Sequence, residues 1–168
     1  MNEEDKFGYY LSGLTDGEGS FVLSNRKVGN TKYPRCEFTI SMRLDDYIIL
    51  EEIQKYLKCG SIYIYKGKHK NAIANFVVFK PEDVFHKVIP VFEKYPLRAK
   101  KARDFKIWKQ AAILCYEVRQ RKQVGSKGNA LQEGPGFKWK DSERDFYVSL
   151  IEKLRDIRKY NTSFEYLI

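Results

Sequence analysis

Residues 35–44 read RCEFTISMRL, an unbroken two-residue alternation. Cys36, Phe38, Ile40, Met42 and Leu44 fall to one side, and Arg35, Glu37, Thr39, Ser41 and Arg43 to the other. A helix cannot segregate such a pattern, because its apolar positions recur every three or four residues. The segment is therefore a half-buried strand with one apolar and one polar face, the habit of antiparallel sheets. The preceding SFVLSNRK puts Phe21 and Leu23 on one side. The intervening VGNTK reads as the turn of a hairpin.

The remaining periodicities surround this hairpin with helices. Phe7, Tyr10, Leu11 and Leu14 give a first helix an apolar face that ends near Gly17. A second helix is predicted from about Asp45 to Leu57, with Ile49, Ile53, Tyr56 and Leu57 inward, and Gly60 ends the connection. SIYIYK and NAIANFVVF are two further strands joined by the basic loop KGKHKN. Pro81 opens a helix, as proline does at a first helical position, with Val84, Phe85, Val88, Ile89 and Phe92 as its core face. Beyond Pro96 a long helix is expected from about Ala99 to Val118, burying Ala102, Phe105, Ala112 and Cys115. Glycine and lysine interrupt all periodicity over about 120–140, which reads as a loop. A last amphipathic helix, near Ser142 to Lys159, carries Phe146, Leu150, Ile151, Leu154 and Ile157, with Asp141 or Ser142 as its cap. The order is helix, strand, strand, twice over, then helix: an α+β class chain of αββαββα order, with a helix beyond the loop.

Lysine and arginine outnumber the acids, giving 168 residues a formal net charge of +9. That excess suits a polyanionic partner, nucleic acid or an anionic surface, and leaves open a basic protein without one. No apolar run is long enough to span a bilayer. The polar opening MNEEDKF is unlike a signal peptide, so an intracellular protein is expected. Three scattered cysteines argue for a reducing compartment, and His69 and His86, the only histidines, have no zinc-ligand spacing.

The stretch YYLSGLTDGEGSF, Tyr9 to Phe21, is the chemically unusual one. Gly13 and Gly17 are four apart and share a helix side. Each glycine costs about 1 kcal/mol relative to alanine in a helix, so close packing is expected there, within the chain or between chains. Glu18 follows at the negative end of the helix dipole, among unpaired carbonyls. A carboxylate there is either solvated or joined by a cation such as Mg²⁺, for which carboxylate and carbonyl oxygens are suitable ligands.

LSGLTDGEG, Leu11 to Gly19, resembles the LAGLIDADG motif of homing endonucleases, matching at Leu11, Gly13, Leu14, Asp16 and Gly19. Ser12, Thr15, Gly17 and Glu18 are substitutions common in that family. The succeeding ββαββα order over about residues 5–118 is similar as well. The resemblance implies one domain over 1–168 with an antiparallel sheet saddle. It also implies a site-specific double-strand DNA endonuclease, encoded in an intron as a mobile element, in an organelle (mitochondrion or chloroplast) or a bacterial cytoplasm. An RNA-binding intron maturase on the same scaffold, with intron RNA as partner, and a catalytically silent DNA-binding protein are the alternatives. No membrane partner is expected.

The family's roles carry over by position. One motif per chain implies a homodimer, with Gly13 and Gly17, together with Ser12 and Tyr9, at the helix–helix interface. Glu18 and the Gly17 carbonyl are the implied ligands of Mg²⁺, a site that Mn²⁺ or Ca²⁺ also fills. Asp16 holds the helix end by local hydrogen bonds. Cleavage across the minor groove of a roughly palindromic target, leaving short 3′ overhangs, needs no dedicated general base. PLRAKKARDF resembles the family's basic segment, making Arg98, Lys100 and Lys101 candidates at the reacting phosphate. Met42 falls where a glutamine is usual, which puts the site's water network in question. The implied DNA-reading face comprises Ser24, Arg26, Arg35, Glu37, Thr39, Ser41, Arg43, Ser61, Tyr63, Tyr65, Asn71, Ile73 and Asn75. Lys66, Lys68, Lys70, Lys122 and Lys127 would serve phosphates.

Overall fold

A computed structural model describes residues 1–28, 31–65, 72–123 and 139–159. The first helix, α1 (Glu3–Glu18), is capped by Asn2, whose side chain accepts from the Asp5 N–H at 2.7 Å. Glu3, Glu4 and Asp5 in its first turn complement the helix dipole. The chain passes directly into β1 (Gly19–Val28), then β2 (Thr31–Arg43), a short 3₁₀ turn (Leu44–Asp46), α2 (Tyr47–Leu57), β3 (Ser61–Tyr65) and β4 (Ile73–Val78). A helical run follows, made of α3 (Pro81–Asp83), a π-turn (Val84–Val88) and α4 (Ile89–Lys94). Two long helices, α5 (Lys101–Gln123) and α6 (Asp141–Ile157), complete the described chain.

The four strands form one antiparallel sheet in the order β1-β2-β4-β3. Its parity is the one read from RCEFTISMRL. Cys36, Phe38 and Ile40 are buried with Phe21, Ala74, Phe76 and Val78, and the alternate positions face outward. The core-forming helix residues pack on the inner face. There Phe21 packs against Phe38, Phe92, Phe105 and Trp108, with ring centroids between 5.0 and 5.5 Å from its own. The Trp108 indole N–H, buried with the ring, donates to the Val22 carbonyl at 3.2 Å.

Tyr147 and Arg158 tie α6 to the strands and to α5. Tyr147 is fully buried, and its hydroxyl accepts from the Arg35 N–H at 3.1 Å. The same oxygen lies 2.7 Å from the Arg35 carbonyl and 3.0 Å from that of Ser24, one of which takes its proton. Burial pushes its ionisation far up, so it remains a donor. Beyond the end of α6, Arg158 donates to Asp104 of α5 at 2.7 Å and to the Phe21 carbonyl at 2.6 Å.

Several sequence expectations shift. Tyr10 is 44% exposed and not in the core; Leu11 is buried, with Phe7 and Leu14 half-buried beside it. Phe146 is likewise 46% exposed, and Tyr147 takes the inward place. Leu50, Trp108 and Ala111 are further core residues. Helix α5 starts at Lys101 and runs on through residues 120–123, where a loop is expected from the sequence. Asp141 and Ser142 are in the first turn of α6. The cap is Lys140, whose N–H is accepted by Glu143 at 3.0 Å.

Candidate active site and nucleic-acid interface

The last turn of α1 contains acids and no base. Its terminal carbonyls carry the negative end of the dipole, and the compensating cation comes from a distant part of the chain. Lys101, the first residue of α5, donates through Nζ to the Gly17 carbonyl at 2.7 Å and to the Asp16 carbonyl at 3.2 Å. Burial lowers its pKa below the ordinary lysine value, and Glu18 and Asp16 offset part of that fall. Of the three basic candidates, Lys101 alone brings its side chain to the motif. Arg98 contributes its backbone, and Lys100 is exposed.

Asp16 does fix the helix end, though not by local bonds. Its Oδ2 accepts from the backbone N–H of Arg98 at 2.8 Å and of Ala99 at 3.1 Å, tying α1 to the approach to α5. Its Oδ1 and the Thr15 hydroxyl are buried without a hydrogen-bond partner. Glu18 is exposed beyond them, at the mouth of the sheet. Gly19 pairs with Ile40, so Ser41, the next outward-facing residue of β2, is level with Glu18. Met42 does not face this site: it packs against the core, on the other side of the sheet. No group of three or more Asp, Glu, His or Cys side chains suited to a metal is present among the described residues.

The side of α1 away from the core is bare. A Cβ added at Gly13 or Gly17 meets nothing within 4 Å, and Tyr9, 49% exposed, adjoins them. Ser12, expected on this surface, is only 4% exposed and turned into the chain, so it does not belong to it. Gly8 is different. A Cβ there would lie 2.2 Å from the Tyr95 ring, so its absence serves packing within the chain.

The outward sheet face brings together most of the residues predicted to read DNA. In register, Ser24 pairs with Arg35, Ser41 with Asn75, Arg43 with Ile73, Tyr63 with Asn75 and Tyr65 with Ile73. Arg26, Glu37, Thr39 and Ser61 share that parity. Ser20, Val22, Tyr33 and Val77 share the parity too, in addition to the predicted set. Arg35 pairs with Glu37 and lies 4.3 Å over the Phe79 ring, and Arg43 donates to Asp45 at 2.7 Å. Lys66, Lys68, Lys70, Asn71 and Lys127 lie outside the described residues. Lys122 is in the last turn of α5, its side chain also outside them.

Comparison with known proteins agrees with this geometry. The family model described as LAGLIDADG endonuclease matches residues 11–112. A probable intron-encoded endonuclease 2 of Neurospora crassa is 28% identical over 121 residues, 72% of this chain and 25% of that one. A probable intron-encoded endonuclease, Cox1-I1b, of Schizosaccharomyces pombe is 32% identical over 111 residues, 64% of this chain and 27% of that one. The chain thus spans about a quarter of the length of these curated relatives. Among solved structures, the I-SmaMI LAGLIDADG homing endonuclease bound to cleaved DNA superposes with TM-score 0.67 at 21% identity, over 90% of this chain and 44% of that one. The homing endonuclease I-TnaI superposes with TM-score 0.62 at 20% identity, over 89% of this chain and 94% of that one. At such identities the likeness is one of fold.

Proposed function

This chain belongs to the LAGLIDADG endonuclease family, and from that premise we propose that it cuts both strands of a DNA duplex at a specific long site, as a pair of chains. The observation that carries the reading is the end of α1. An exposed carboxylate, Glu18, adjoins a bare glycine face and a lysine held on the helix's last carbonyls. Two copies meeting along Gly13, Gly17 and Tyr9 would bring two Glu18 side chains together, one for each strand.

The donor set suits Mg²⁺, which commonly takes one or two carboxylates and completes its shell with phosphate and water. Glu18 would hold it, with Gly17 as the carbonyl ligand once Lys101 yields that oxygen. Mn²⁺ or Ca²⁺ fits the same oxygens, and an I-SmaMI structure on an uncleaved DNA target was obtained in the presence of calcium ions. When bound, the ion supplies an acidified water and charge for the leaving oxygen. The chain's own residues do the rest. The sheet face holds the duplex in register, Asp16 fixes the distance between α1 and α5, and Lys101 sets a positive charge beside the reacting phosphate. Because a relative is a mitochondrial protein, RF1 of Saccharomyces cerevisiae, a mitochondrial setting is the one we favour. No helix among the described residues is long and apolar enough to cross a membrane.

The test is cleavage, with Mg²⁺, of DNA spanning the insertion site of the chain's own gene. Wild type cuts, whereas Glu18→Gln binds and does not cut. Equal cutting by both would remove Glu18 from the chemistry.

A further inference from the structure

The outward sheet face changes character across its width. Toward the β1–β2 hairpin it carries Arg26, Arg35 and Glu37. On β4 and β3 it turns apolar. Tyr65 stands directly opposite Ile73, and Tyr63 opposite Asn75. Tyr63, Tyr65 and Ile73 are 43%, 58% and 45% exposed. Their β2 neighbours on the same face are Ser41 and Arg43, and the Arg43 guanidinium is drawn to Asp45. Ile64, although exposed, has the opposite parity and is not part of the patch.

Three large side chains standing in water on one small area mark a contact surface. Tyr63 and Tyr65 stand on the edge strand β3, where charge is the usual guard. The patch is continuous with the polar face of a chain of net charge +9, which favours DNA as its occupant. In the major groove, apolar side chains have one distinctive target, the C5 methyl group of thymine. Tyrosine adds a hydroxyl that remains free for phosphate or water.

We propose that Tyr63, Tyr65 and Ile73 determine specificity by packing on thymine methyl groups of the base pairs beneath β3 and β4. The proposal rests on the reading of this face as the DNA interface. It is tested by selecting bound duplexes from a random-sequence library with the full chain, then replacing each dT singly by dU. At adjacent positions of the selected site, loss of the methyl lowers affinity about fourfold, the value of one buried methyl-sized group. Ile73→Ser and Tyr65→Ser each abolish the dU penalty at the position their side chain covers and leave the others, while melting like wild type, since neither residue is in the core. Wild-type indifference to dU at every position overturns the thymine assignment but leaves DNA binding standing. Selection of no duplex overturns both readings. A dU penalty that persists unchanged in both variants assigns the methyl contact elsewhere and also overturns the proposal.

Discussion

Gly13→Leu separates the fold from the pairing of chains, because its effects on the two have opposite signs. Within the chain the substitution meets open space, with nothing within 4 Å of the new Cβ. Replacing an interior helical glycine by leucine then gains about 0.7 kcal/mol of helix propensity. For a chain of this size that raises the melting temperature by about 2 °C. Between two copies the same side chain enters the contact twice. Overpacking costs roughly 1–3 kcal/mol per site, so in a pair of chains two sites weaken association on the order of 1,000-fold. Calorimetry over a concentration series reads both effects. At low concentration the variant melts above wild type. At higher concentration wild type overtakes it, because its melting point rises with self-association at concentrations where the variant's does not yet. Sedimentation equilibrium checks the mass directly. Undiminished association would refute the assignment of this face, and a variant melting several degrees lower in dilute solution would refute the open space around Gly13.

Two further outcomes follow from the hydrogen bonds. Lys101→Met, measured by single-turnover cleavage, lowers the rate by about 100-fold or more, while stability changes by less than about 1 kcal/mol, since the lysine is only partly buried. The pH dependence has a definite sign. Burial places the folded pKa of Lys101 below 10.5, so cleavage is lost as pH rises through that lowered value. Stability rises over the same window, because the unfolded chain binds the extra proton there. Lys101→Arg moves the alkaline limb upward. Tyr147→Phe leaves the Arg35 N–H and the Ser24 and Arg35 carbonyls without the hydroxyl. It costs about 1–3 kcal/mol in denaturant unfolding; a variant as stable as wild type would mean that this hydroxyl does not hold α6.

The sheet was legible because strand burial is a matter of local parity. Once one face of RCEFTISMRL is covered, Cys36, Phe38 and Ile40 have no other way to turn. Helix faces are less determined. In α6, Phe146 and Tyr147 both fit an apolar stripe with Leu150 and Leu154. The choice falls to backbone groups of Ser24 and Arg35, 123 and 112 residues away, that need a hydroxyl. Periodicity carries no trace of such a demand. The same holds for PLRAKKARDF, where Arg98, Lys100 and Lys101 are equivalent as text. The carbonyls of Asp16 and Gly17 select one of them. Met42 illustrates the complement: alternation already put it among the inward residues, and position in a motif-based alignment set it against that parity. The structure sides with the parity.

The reciprocal tie between the end of α1 and the start of α5 has a consequence for how the protein comes to be active. Asp16 and Gly17 meet Arg98, Ala99 and Lys101 across separations of 82 to 85 residues. Closing so long a loop is entropically unfavourable until the intervening segment is compact, and such non-local contacts are slow to form. The contacts within α1 are local, whereas Lys101 reaches its carbonyls only when the strands between them have brought α5 alongside. The junction of α1 and α5 is therefore expected to be among the last parts of the chain to assemble, so a half-folded chain has the motif helix without Lys101 on its last carbonyls.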